Sequence, residues 1–169
     1  MGLSNSSQKR AAWNRAEGIR EGVAPSQVHR VAVVPYSAEQ MFGLVADVEA
    51  YPLFVPYCRG ARVEARFADG VQARIEFAKG GLSKSFTTRN TNHGPHWIEM
   101  RLVDGPFRDL QGIWRFVEVQ QGAQATRVSL DLRFEFSNRL VASLVGPVFS
   151  QFANKMVDAF SDRARTLYG

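Results

Sequence analysis

The sequence predicts an α+β domain in which a seven-stranded curved antiparallel sheet grips one long C-terminal helix, with two short helices after the first strand. Two observations carry this reading. Beyond residue 57, short β-forming stretches are separated by Asp69-Gly70, Gly80-Gly81, Gly94-Pro95, Asp104-Gly105-Pro106 and Gln121-Gly122, the punctuation of an antiparallel meander. Residues 139–167 then place Val141, Leu144, Val145, Val148, Phe149, Phe152, Met156, Val157, Phe160 and Leu167 at helical spacing, which predicts one helix with one apolar stripe.

Residues 1–27 hold four basic and two acidic groups, few large apolar ones and no sustained periodicity, and read as a flexible basic N-terminal tail ahead of a domain over residues 28–169. The tail lacks the apolar core of a secretory signal, loosely resembles an organellar presequence, and opens on a six-residue match to a myristoylation pattern too permissive to carry a modification. Residues 28–34 are β-branched and end at Pro35, giving the first strand. Ser37 with Gln40 forms a capping box, and Met41, Phe42, Val45 and Ala46 supply the apolar face of a short helix. Residues 49–56 carry two prolines among four large apolar groups, which allows one more helical turn followed by an apolar loop. Six strands follow; in the clearest, Val128, Leu130, Leu132, Phe134 and Phe136 alternate with Arg127, Ser129, Asp131, Arg133 and Glu135, so one side of the sheet faces water. Ser137 is the expected N-cap of the long helix, and Gly146-Pro147 predicts a kink within it.

A chain of 169 residues fits one domain and buries roughly 70% of its unfolded surface, so it needs no staples. Its single cysteine, Cys58, excludes an intramolecular disulfide and suits a reducing compartment. The longest apolar runs fall far short of the roughly 20 residues that cross a bilayer as a helix. The formal charge of +5 comes from 21 basic against 16 acidic residues, mostly arginine; the signs interleave along the folded part, which favours solubility over a dedicated anionic partner.

Signals for catalysis are thin. His93 and His96 flank a turn without further ligands, Cys58 has no base placed beside it, and Gly80-Gly81 joins two strands and does not open a helix. Asp104 and Asp109 belong to ordinary turn chemistry. Arg59, Arg62, Arg66 and Arg74 form a basic stripe, but Glu64 and Glu76 alternate with two of them and account for it as cross-strand ion pairs. What remains is apolar excess, twelve phenylalanines among it, and the residues alone leave a ligand pocket and a packed core equally open.

Read together, residues 42–56 (FGLVADVEAYPLFVP), 103–107 (VDGPF), 110–116 (LQGIWRF), the strand at 128–136 and residues 156–160 (MVDAF) resemble the coenzyme Q-binding START-like family of the polyketide cyclase superfamily, over about residues 28–168. The resemblance implies a helix-grip fold around a hydrophobic cavity and a non-enzymatic role, with no catalytic residue, metal or cofactor. One branch binds ubiquinone or a related polyisoprenoid quinone in support of quinone biosynthesis and respiration. The other, RatA-like, branch associates with the large ribosomal subunit and blocks subunit joining. Neither implies DNA binding. The ligand wall expected on this basis comprises Phe42, Tyr51, Phe54, Met100, Leu110, Trp114, Phe116, Leu132, Phe134, Val145, Phe149, Phe152 and Met156, with residues 51–55 either lipping the pocket at a membrane surface or capping the core. The expected location is cytoplasmic and peripheral to the inner membrane, or the mitochondrial matrix if residues 1–27 are a presequence.

Overall fold

The computed structural model describes residues 25–119 and 122–169, so the tail reading over residues 1–24 and the Gln121 half of one expected turn lie outside the described residues. Strands β1 (Ser26–Val34), β2 (Cys58–Phe67), β3 (Gly70–Lys79), β4 (Leu82–His93), β5 (Trp97–Asp104), β6 (Phe107–Glu118) and β7 (Thr126–Phe136) form one antiparallel sheet in the order β1-β7-β6-β5-β4-β3-β2. The breaks fall at the glycine turns, where Gly70, Gly80, Gly81, Gly105 and Gly122 all adopt positive φ. β1 starts two residues earlier than its β-branched run, because Ser26 and Gln27 pair with Phe134 and Arg133 although neither shows an apolar pattern.

Helix α1 (Ala38–Ala46) begins on the expected capping box: Gln40 N–H donates to Ser37 Oγ at 3.0 Å and Ser37 N–H to Gln40 Oε1 at 2.9 Å. The next turn is a 3₁₀ helix, Val48–Leu53, which tolerates Pro52 because so short a turn leaves few backbone donors to lose. The Tyr51 hydroxyl donates to the Val45 carbonyl and ties this turn to the end of α1. Gly94, in the β4–β5 turn, lies flat against Phe42, where a Cβ would come within 2.8 Å of the ring, so α1 seats on that hairpin.

Helix α2 (Arg139–Tyr168) is capped by Asn138, not Ser137, through a bond from Val141 N–H to Asn138 Oδ1 of 2.9 Å. It runs without a break through Pro147; the proline is exposed, so the carbonyl it leaves without a donor faces water. Its buried stripe is Val145, Phe149, Phe152, Met156 and Phe160, widened by Ala153, Ala159 and Ala164. Leu144 and Leu167 depart from the expected stripe and are exposed, Leu144 at 61%. The inner face of the sheet closes on this stripe: the Phe149 ring lies 4.8 Å from both Phe107 and Phe134, and Phe160 lies 5.3 Å from Trp114.

Phe149→Ala should therefore destabilise the domain by about 3–5 kcal/mol, whereas Leu144→Ala should stay within about 0.5 kcal/mol of the parent; urea unfolding monitored by circular dichroism measures both.

Candidate functional site

Alternation along the strands gives the sheet two chemically different faces. On the inner face, under α2, the expected wall residues Leu110, Trp114, Phe116, Leu132, Phe134, Val145, Phe149, Phe152 and Met156 are brought together and buried. They touch one another: Phe149 and Phe152 stand 6.0 Å apart, and Trp114 stacks on Phe116 at 6.4 Å. Tyr51 is buried and Phe54 half-buried, their rings 5.1 and 5.2 Å from Phe160, so the 3₁₀ turn and the residue after it cover the second half of the helix. Leu53, between them in sequence, is 74% exposed. Phe42 sits at one end, edge-on to Phe116 at 5.8 Å. Met100 stands apart from the aromatic cluster, half-buried on β5.

Met100 belongs to a part of the inner face that α2 leaves partly open. Val28, Leu132, Gly112, Met100, Asn90 and Val71 are in register across six strands and share that face. A Cβ on Gly112 would come within 2.5 Å of Met100 Cε and 2.9 Å of Leu132 Cδ1, so only glycine lets those side chains converge over β6. Met100, Val71 and, one row away, Leu102 and Val63 are half-buried, in contrast to the sealed rings under the helix. Two polar side chains stand in this stretch, Thr88 and Asn90, buried to 3% and 9% exposure and joined by a 2.7 Å bond from Thr88 Oγ1 to Asn90 Oδ1.

The outer face carries charge. Gln72, Arg89, Arg101, Gln111, Arg133 and Gln27 lie in one register row across six strands. Beside it run Glu99, Ile113, Asp131 and His29, and between the two rows lies an open trough of about 360 Å³. Asp131 is shared by His29 and by Arg115 at 3.1 Å. Arg89 bonds Asp69, whose carboxyl it holds below the usual carboxylate range, and stacks over Phe67 at 4.0 Å.

The stripe read from the sequence is differently engaged. Arg59 pairs with Glu76 at 3.8 Å, Arg62 with Glu64 at 3.6 Å, and Arg74 bonds Ser85 Oγ at 2.7 Å. Arg66 reaches Glu49 of the 3₁₀ turn at 3.3 Å, because a bulge between Val63 and Ala65 turns it to the inner side. Asp104 accepts from Gly105 N–H at 2.9 Å within its turn, and His93 stacks on Trp97 at 4.7 Å. The arginine row escaped sequence reasoning because it depends on register between strands, which no single strand displays; Thr88 and Asn90, two apart on β4, share one face by alternation, but their burial is set by the neighbouring strands.

The polyketide cyclase / dehydrase and lipid transport family matches residues 34–161. The chain belongs to that family. Ribosome association toxin RatA of Escherichia coli is 45% identical over 150 residues, covering 89% of this chain and 93% of that one. The mitochondrial coenzyme Q-binding protein COQ10 homolog B of Xenopus laevis is 30% identical over 140 residues, covering 81% of this chain and 57% of its own. A START superfamily structure from Mycobacterium smegmatis superposes with a TM-score of 0.69 at 26% identity, covering 83% and 98% of the two chains. The START-like helix grip expected from the sequence is thus the fold of this chain, and among the described residues no helix is long and apolar enough to cross a membrane.

Cys58 is the one thiol, buried with Sγ 3.6 Å from the Gly60 carbonyl, and burial pushes its pKa up from 9.0 to about 11. Burial also raises the Tyr51 hydroxyl well above its ordinary value. Since the folded thiol holds its proton more tightly than the unfolded one, its contribution to stability is complete below about pH 9 and is lost as pH rises toward about 11. Native Cys58 should react with iodoacetamide at pH 8 at least about tenfold more slowly than in urea, and Cys58→Ala should flatten the fall in urea midpoint between pH 9 and 11.

Proposed function

We propose that this chain is a non-enzymatic binding protein that associates with the large ribosomal subunit and hinders subunit joining. The observation that carries this reading is the 45% identity to RatA across 93% of that relative's length. The COQ10 homolog is more distant and is matched over 57% of its length, so the order of the two expected branches reverses: ribosome association leads and quinone binding follows. A cytoplasmic location goes with the leading reading. On the outer face, the Arg89–Arg101–Arg133 row is suited to phosphate, since Arg89 and Arg101 sit on adjacent strands and Arg133 on the second strand beyond Arg101, across Gln111, on backbones spaced roughly 5 Å per strand.

A second reading has its own support. The half-open stretch of inner wall around Met100, beside a fully packed aromatic cluster, suits an apolar ligand such as a polyisoprenoid quinone, with the expected wall residues flanking it. The wall residues named from the sequence, Phe152 and Met156 among them, are then the apolar body of the site, and no group in it is assigned to catalysis.

Sedimentation with purified large subunits tests the leading reading. The native chain should co-sediment at low salt and progressively less as salt rises, and Arg101→Ala with Arg133→Ala should weaken binding and lower the salt slope by about 1 per lost phosphate contact. Co-sedimentation absent at every salt concentration would remove it. Binding that survives in the double variant but is lost in Arg59→Ala with Arg62→Ala would move the interface to the β2 edge.

A further inference from the structure

We infer that Asn90 is a hydrogen-bond anchor for an oxygen acceptor on an otherwise apolar ligand, with Thr88 as its positioning residue. The inference rests on the apolar-ligand reading and deepens it by naming what the wall selects.

Asn90 occupies a position that the pattern reserves for an apolar residue. It lies on the inner face of β4, paired to Val71 on one side and Met100 on the other, and only 9% of it is exposed. An amide placed there costs stability unless its polar atoms are met. One atom is met: Oδ1 accepts the Thr88 hydroxyl proton at 2.7 Å, with Nδ2 as the other end of the amide. The other is not. Among the described residues no acceptor meets Asn90 Nδ2, and Nδ2 is not sealed from solvent either, since the sealed side-chain atom without a partner is His93 Nε2. Two N–H donors are thus presented within a wall whose neighbours are aliphatic.

The neighbours make room for an occupant. Met100 is half-buried and rests its methyl over Gly112, beside Leu132 Cδ1. A thioether side chain with three rotatable bonds repacks at little cost, so Met100 is the movable part of this wall and Asn90 the fixed part. A donor without a charge, at the edge of aliphatic surface, selects a neutral molecule carrying a carbonyl or ether oxygen on a hydrocarbon body. It discriminates against a pure hydrocarbon, which leaves the amide unpaired, and it adds nothing for a molecule whose polar group can only donate.

The test compares two probes of similar size, decylubiquinone and decylbenzene, by equilibrium dialysis with the native chain, Asn90→Leu and Thr88→Val. The native chain should bind the quinone about tenfold more tightly than the hydrocarbon. Asn90→Leu, which keeps the branching of the side chain but removes its donors, should bring that ratio near one by weakening the quinone alone, and Thr88→Val should lower it part of the way. A native chain that binds both probes equally, or an Asn90→Leu variant that keeps the native ratio, overturns the anchor while leaving apolar binding in place. Absence of binding by both probes to the native chain removes the apolar-ligand reading, and the anchor with it. The native ratio needs no variant, so the inference stays testable even if Asn90→Leu fails to fold.

Discussion

A single curved sheet has one inner face to bury and, here, one long helix to bury it with. Everything else follows from that shortage of cover. Where the α2 stripe passes, five rings from four strands close on Phe149 and Phe160, and the core is aromatic because rings span the widening gap between a straight helix and a curved sheet. Such rings each bury a large apolar area, so α2 is held by a few contacts of high value and tolerates an internal proline. The 3₁₀ turn with Tyr51 and Phe54 extends the cover over the second half of the helix, and α1 extends it over Phe116.

The cover ends before the inner face does. Beyond it lie Met100, Leu102 and Val71, where the burial falls from sealed to partial, and between them the buried Thr88–Asn90 pair. Glycine at 112 lets the thioether of Met100 and the Leu132 side chain meet over β6, and the amide at 90 adds an unmet donor in the same register row.

Much of the fold was legible in the sequence because its signals are local. Capping at Ser37 and Gln40, glycine turns at positive φ, and the alternation of residues 128–136 each express themselves within a few residues. The stripe on α2 was legible in outline, yet Leu144 and Leu167 look like Val145 and Phe160 in a periodicity count, and only the placement of the sheet decides which of them are covered. Ser137 and Asn138 are both competent caps one residue apart, so local propensity does not separate them. The features assigned to the proposed sites are of another kind. Arg101 and Arg133 are distant in sequence, and so are Asn90, Met100 and Gly112; pairing register alone makes neighbours of them, and the bulge that turns Arg66 inward toward Glu49 has no local signature strong enough to announce it.

The two functional readings use the same strands without competing for the same atoms. Side chains alternate between faces, so each inner residue of the open row is flanked by an outer residue of the arginine row: Met100 by Arg101, Gly112 by Gln111, Leu132 by Arg133, Val28 by Gln27. A partner on the outer face and an apolar molecule on the inner face are therefore separated by one layer of backbone. Coupling between them requires a ligand that binds one arrangement of that layer better than another. Met100 is the residue through which such a difference would enter, since it is the mobile member of the inner row and shares its peptide unit with Arg101. Under the two proposed readings, one inner and one outer row of the same strands would hold the ligand wall and the docking surface, so the fold of a small-molecule binder is no obstacle to association with a large assembly.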